Sequence, residues 1–298
     1  MGLAIIVPFS DYSEKKLGVI DLNEVFYINY ELTLCNVVGE QPESVRINSP
    51  LTLSLQPKNA YCAISAVTIT MGGDDITALV YNNGVISIPS VSGNVVITAS
   101  ASYTLPSGYT ILESIGVPFG SRFNTGITPS SSTSFLYKYS VDATIYTDTS
   151  KTPHFLSGTN YYAPYARTKY GTSPEAVFVN RCGTETSILF NASSPYTFSI
   201  DAFNNDSNAV IINDGEHRGN AVSGSASAGT LWFACYGGNT TSDKYWLKGR
   251  VFGSIEICSS GTPSSILVPA KNANNVYGFY DVVRPSFYSS ATSVAFTA

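Results

Sequence analysis

The chain has 298 residues, of which only 12% are charged and 12% are aromatic, with a formal net charge of −5. Average soluble proteins carry about 25% charged residues, so the polar surface here must come from Ser, Thr, Asn and Gly. The acidic balance leaves no electrostatic footprint for nucleic acid, and no run approaches the ~18 apolar residues of a membrane-spanning helix.

Residues 1–30 read as a first element. Leu3-Ala4-Ile5-Ile6-Val7 is a short buried-type strand ended by Pro8. It lacks a basic flank and is too short for a secretory signal. The stretch after it, through Glu14-Lys15-Lys16, has little periodicity, and the whole element is too small to fold alone. Two readings stand side by side: a docking arm that adds a strand to a neighbouring subunit, or an extra strand on its own next domain.

Residues 31–102 form a second unit. Ser44–Ile47, Leu51–Leu55 and Ile64–Met71 alternate apolar with polar residues, the period of half-buried strands. Asn83-Gly84 lies between Leu79-Val80-Tyr81 and Val85–Ile88, a type I′ hairpin signal. Gly72-Gly73 belongs to a hairpin, Asp74-Asp75 reads as a solvated loop, and Val95–Ala99 is a last strand. Short strands at this spacing predict an Ig-like sandwich. The runs Val67–Thr77 and Ile86–Ala99 resemble an Ig-like module of bacterial and phage proteins, which implies a spacer between an anchor and a binding head.

Residues 103–298 form a third unit. Strands are expected over Thr133–Tyr139, Val177–Val179, Tyr196–Ala202, Ala209–Ile212, Leu231–Tyr236, Gly249–Ile257 and Ile266–Pro269. Abundant Tyr, Phe, Val, Ile and Thr favour strands throughout, and no segment shows helical periodicity, so the expected class is all-β. The opening Leu105-Pro106-Ser107-Gly108-Tyr109-Thr110-Ile111-Leu112 and the closing Leu267–Asn272, Val276-Tyr277-Gly278-Phe279-Tyr280-Asp281 and Phe287-Tyr288 resemble the two ends of a concanavalin-A-like (laminin-G-like) jelly-roll sandwich of phages and prophages of gut bacteria.

The resemblance implies a virion surface protein: a head fibre, capsid decoration or tail-fibre-type adhesin. Its arm would bind other virion proteins and its head would contact host or mucosal glycans weakly and in many copies. It implies a homo-oligomer, by analogy a trimer, made in the host bacterial cytoplasm and released by lysis. A purely structural virion protein and a bacterial cell-surface adhesin are the competing readings. Fold resemblance alone does not establish ligand binding.

An enzyme is not expected. Glucanase relatives of the family carry Glu-x-Asp-x-x-Glu on one strand. Here Glu113, Glu175, Glu185, Glu216 and Glu256 are scattered, without the paired geometry that glycoside hydrolysis needs. Glu256, between Ile255 and Ile257, is expected to face solvent. His154 and His217 have no local Ser or Cys partner pattern. Cys35, Cys62, Cys182, Cys235 and Cys258 form no C-x-x-C pair and read as buried reduced thiols.

Two clusters are site candidates. Tyr161, Tyr162 and Tyr165, beside Asn160 and Arg167, form a loop-like aromatic group that would be a ligand platform if exposed; packing onto the sandwich or a sister subunit is the commoner fate of such rings. Asp201, Asn204 and Asp206 offer oxygen ligands for calcium at a sandwich rim. Their spacing matches no fixed ligand loop, and a plain hairpin turn explains them as well. No other cofactor is expected.

Overall fold

The computed structural model of the protein describes residues 24–128, 133–141, 156–157, 165–169, 175–181, 184–190, 196–200, 209–212, 215–218, 229–235 and 248–298. The described segments are strands joined by turns, with one helical turn, so the chain is all-β. It divides into two compact units, 1–102 and 103–298.

The strands of the first unit are β1 (Val25–Thr33), β2 (Cys35–Val37), β3 (Ser44–Arg46), β4 (Leu51–Pro57), β5 (Cys62–Met71), β6 (Asp74–Asp75), β7 (Tyr81–Asn82), β8 (Val85–Ile88) and β9 (Val95–Tyr103). They form a five-stranded sheet in the order β3-β1-β9-β5-β6 and a four-stranded sheet in the order β2-β4-β8-β7. Period-two patterning sends Leu51, Leu53 and Leu55 of β4 inward, together with Ile86 and Ile88 of β8 and Val95, Ile97 and Ala99 of β9. Burying both sets between two sheets is the Ig-like solution.

β1 and β9 run parallel, Ile28 opposite Val95 through Thr33 opposite Ser100. Residues 25–30, read either as part of a docking arm or as an extra strand on the next domain, are therefore strand residues of this sandwich, with Ile28 buried in it. Residues 1–23 lie outside the described residues.

Turn chemistry sets the connections. Asn83 and Gly84 both adopt positive φ, at 44° and 85°, as a type I′ turn requires, and Tyr81 pairs with Ile86 across it. The chain ahead of that hairpin differs from expectation, because Thr77–Val80 is a helical turn (α1) in place of a strand. Asp75 is a short edge strand whose carboxylate accepts from the Thr77 amide at 2.9 Å and the Thr77 hydroxyl at 2.6 Å, and this bends the backbone into α1.

In the second unit the strands are β10 (Tyr109–Ile111), β11 (Ser114–Val117), β12 (Phe123–Asn124), β13 (Thr133–Val141), β14 (Leu156–Ser157), β15 (Tyr165–Lys169), β16 (Glu175–Arg181), β17 (Thr184–Phe190), β18 (Tyr196–Ile200), β19 (Ala209–Ile212), β20 (Gly215–Arg218), β21 (Trp232–Phe233), β22 (Gly249–Ser259), β23 (Thr262–Asn272), β24 (Tyr277–Asp281) and β25 (Ser286–Tyr288). The main sheet runs β20-β19-β18-β13-β22-β23-β24-β25, with β10 added on β23 and β11 on β22. Two three-stranded sheets, β12-β21-β14 and β15-β16-β17, accompany it. Opposite Tyr137 the central strand β22 bulges, and Gly253, at φ 64°, supplies the left-handed residue there.

Phe123, Phe233, Phe279 and Phe296 meet in an aromatic core with ring centroids 5.0–6.1 Å apart. All four are buried, and their tilted and edge-on contacts suit aromatic quadrupoles.

Candidate functional site

Tyr161, Tyr162, Asp201, Asn204 and Asp206 lie outside the described residues. Tyr165 opens strand β15 opposite Asn180, where a loop was expected. His217 is in strand β20 opposite Val210.

The opening and closing motifs of the second unit lie together. Tyr109 pairs with Asn272, Thr110 with Lys271 and Ile111 with Ala270, and on the other side of β23 Pro269 pairs with Phe279 and Ala270 with Gly278. Stretches far apart in the sequence therefore form one hydrogen-bonded block. The rings of Tyr109 and Tyr280 are 4.8 Å apart, and Phe287 closes on Tyr109 at 5.3 Å. Burial, with smaller contributions from Tyr109 and Asp281, pushes the Tyr280 phenol above its ordinary pKa.

Asp281 is the polar centre of this block. Its side chain is fully buried, Oδ2 accepting from Arg284 Nε at 2.8 Å and Ser265 Oγ at 2.7 Å. Oδ1 accepts from the amides of Ile266, Val283 and Arg284 at 3.0–3.3 Å. Arg284 Nη2 continues to the Thr125 carbonyl at 2.8 Å, and its guanidinium lies 6.0 Å from the centre of the Tyr288 ring. A carboxylate saturated by donors in this way is a clamp; acting as a base or a metal ligand would require breaking those bonds.

Glu256 is buried, contrary to the solvent-facing position expected. Tyr103 Oη donates to its Oε1 at 3.2 Å and lies 3.1 Å from Ser254 Oγ. Central strand β22 is covered on both faces at this level, where Ile255, Glu256 and Ile257 are all buried, so alternation no longer means solvent on one side. Cys35, Cys62 and Cys235 are buried and Cys258 is half-buried. Burial pushes the Cys35 thiol above its ordinary pKa. Among the described residues no group of three or more His, Cys, Asp or Glu is placed to hold a metal ion.

The first unit carries an open groove of about 670 Å³. Leu55 and Pro57 of β4, Ile64 and Val67 of β5, and Tyr81 and Gly84 of the β7–β8 hairpin line it, and no Asp, Glu, Lys, Arg or His does. Its lining offers apolar contact, together with the polar side chains of Gln56, Ser65 and Asn83. β5 has β9 on one side, while on the other β6 covers only Thr70 and Met71. Among the described residues Ala63–Val67 thus form a sheet edge along the groove. The signal was present in the sequence: Cys62–Met71 contains no charged residue, no Pro and no Gly.

No family model matches the chain, and no curated protein matches it. Among solved structures it is similar to domains LG4-5 of the mouse laminin α1 chain, at a TM-score of 0.33 and 10% identity over 59% of this chain. The alignment spans half of that laminin chain.

Proposed function

We propose that the protein is a displayed component of a bacteriophage particle, made in the host cytoplasm, whose Ig-like unit carries a concanavalin-A-like head that contacts host or mucosal glycans weakly and in many copies. The observation that carries this reading is the joining of the opening and closing motifs, on which the family resemblance rests, into the single β10–β23–β24 block. The low charge of the chain supports it too, since a neutral polar surface of Ser, Thr, Asn and Gly suits contact through hydrogen bonds and aromatic faces.

The reading assigns no catalytic step, because Asp281 and Glu256, the buried acids of the described residues, are tied into packing contacts. A second reading, a wall protein that contacts only other virion subunits, is favoured by the uncharged edge of β5.

The test is binding of the full chain, displayed in many copies on beads, to a glycan array and to host cells, with and without calcium. The glycan reading expects specific retention that falls when Tyr161, Tyr162 and Tyr165 are changed together to Ala. Calcium dependence would assign the Asp201, Asn204 and Asp206 cluster to the ion. Absence of retention under multivalent display would leave the wall-protein reading.

A further inference from the structure

We propose that the β5 edge of the first unit is a strand-acceptor site, and that its occupant is the Leu3–Val7 segment of a second copy of this chain. The site stands out against the other edges of the same sandwich. β3 and β2 are three residues long, and β7 and β6 are two. Sheet edges are normally blunted by shortness, charge or proline, because their unpaired amides and carbonyls recruit other strands. β5 is ten residues long, and its segment from Ala63 to Val67 has no strand beside it on the side away from β9 among the described residues, whereas Ile69 is bonded on that side to the Ile76 amide and the Thr77 hydroxyl. Ala63, Ser65 and Ala66 are exposed along this segment. Leu79, the most exposed large apolar side chain of the described residues at 85%, sits in α1 just ahead of Tyr81, a groove residue.

The occupant follows from chemistry and length. The groove is uncharged, its mainly apolar lining interrupted by Gln56, Ser65 and Asn83, and Leu3-Ala4-Ile5-Ile6-Val7 is apolar and uncharged. Five extended residues span about 17 Å, the length of the five-residue open stretch Ala63–Val67 of β5. Added strands gain affinity from main-chain hydrogen bonds and specificity from alternate side chains seated in a groove.

Residues 8–24 then connect the segment to β1. Within one copy β1 and β5 are separated only by β9, two strand spacings or about 10 Å. Connections inside compact domains have a median of about 4–6 residues. The tether here, polar through Glu14-Lys15-Lys16, reaches about 60 Å when extended, enough to pass to a neighbouring molecule. Exchange between copies uses that length, whereas return to its own β5 leaves most of it slack. The inference deepens the reading of a protein displayed in many copies, but its test involves no glycan, so the two fail separately.

The experiment uses two full-length populations with different tags, one carrying Ile5→Cys and the other Ala66→Cys, mixed, refolded together and oxidised. Each population with only its tag changed serves as reference for the native cysteines. The expected result is a covalent pair containing both tags, formed only when both new cysteines are present. In parallel, deletion of residues 1–23, and separately the double change Ala63→Lys with Ala66→Lys, should each convert the higher-mass species to monomer in sedimentation, with circular dichroism unchanged. The inference is overturned if folded chains give no link containing both tags, or if the mass distribution survives the two lysines.

Discussion

The closing block of the second unit and the β5 edge of the first handle the same problem, unpaired backbone beside apolar side chains, in opposite ways. In the block, β23 is paired by β22, β24 and β10 along its length, and the acid at its border has a donor for each lone-pair direction. At β5 the ladder stops at Asp75 opposite Thr70, and neither charge nor proline lies along Ala63–Val67 beyond it. The first region holds its free energy in contacts inside one chain. The second leaves the backbone of Ala63–Val67 without a strand partner on one side among the described residues. Substitutions in the block should therefore be read out as stability, and substitutions at the edge as assembly.

The aromatic core should give the largest effect. Phe279 is fully buried and touches the rings of Phe123, Phe233 and Phe296. Phe279→Ala should destabilise the second unit by about 3–5 kcal/mol through lost transfer energy and an unfilled cavity. Both tryptophans, Trp232 and Trp246, lie in that unit, so tryptophan fluorescence during denaturation follows it selectively. A shift of less than about 1 kcal/mol would mean the core can close around the gap, and the contrast between the regions would weaken.

Asp281→Asn is next. It keeps the shape of the side chain but removes the charge facing Arg284 and replaces one acceptor oxygen by a donor, where Ser265, Arg284 and amides already donate. Hydrogen bonds to charged groups contribute about 1.5–3 kcal/mol, and a loss of that order is expected in the same fluorescence experiment. Changing Arg284 to Ala as well should cost less than the sum of the two single changes, because both remove the same contact.

What was legible in the sequence divides along the same line. The all-β class was readable because Tyr, Phe, Val, Ile and Thr recur at period two. The Asn83-Gly84 turn was readable because only residues tolerant of positive φ satisfy a type I′ hairpin. Strands β22 and β23 were seen but drawn too short, since their ends carry Ser, Thr, Lys and Asn, which give no apolar alternation. Tyr165 and Arg167 of β15 were read as part of a loop-like group, because Tyr, Arg and Lys in Tyr165–Lys169 hide the period-two signal.

Glu256 was misplaced by the assumption that a strand has one wet face, which fails for a strand central to a sheet covered on both sides. The Asp281 clamp was not read, because Ser265 and Ile266 reach it across a strand pairing that only the fold supplies, although Val283 and Arg284 lie two and three residues along the chain. The β5 groove was legible as an uncharged run, yet nothing local says that a run of that kind lies at an edge.

Gly278→Ala tests how tightly the block is closed. A Cβ at Gly278 would run into the Tyr288 carbonyl and come within 2.8 Å of Phe287 Cζ. Phe287 can turn, but the carbonyl belongs to β25, which pairs with β24 at Phe279 and Tyr288. Overpacking of this kind costs about 1–3 kcal/mol, and backbone displacement should also quench the close Tyr109–Phe287 ring contact, visible as altered near-ultraviolet circular dichroism. By contrast Ala63→Lys and Ala66→Lys on β5 should change unfolding of the monomer by no more than about 0.5 kcal/mol, as exposed substitutions do.

The smallest effect, and the one most specific to the first unit, is the titration of Asp75. Its carboxyl is held below the ordinary value of 3.8, first by the Thr77 hydroxyl and then by the Thr77 amide. A folded-state value below the unfolded one means that the carboxylate's contribution is fully present above 3.8 and is lost as pH falls through the folded value. The group is exposed, so solvent screens it and the change in global stability is slight. The local consequence is larger, because Thr77 Oγ1 also accepts from the Ile69 amide at 2.7 Å, on the part of β5 next to the open edge. A carboxyl-carbon titration by NMR should place the Asp75 midpoint below 3.8, and Thr77→Ala should return it toward that value. If the midpoint stays depressed in Thr77→Ala, the hydroxyl is not the cause, and the turn that ends the open edge is held by the backbone alone.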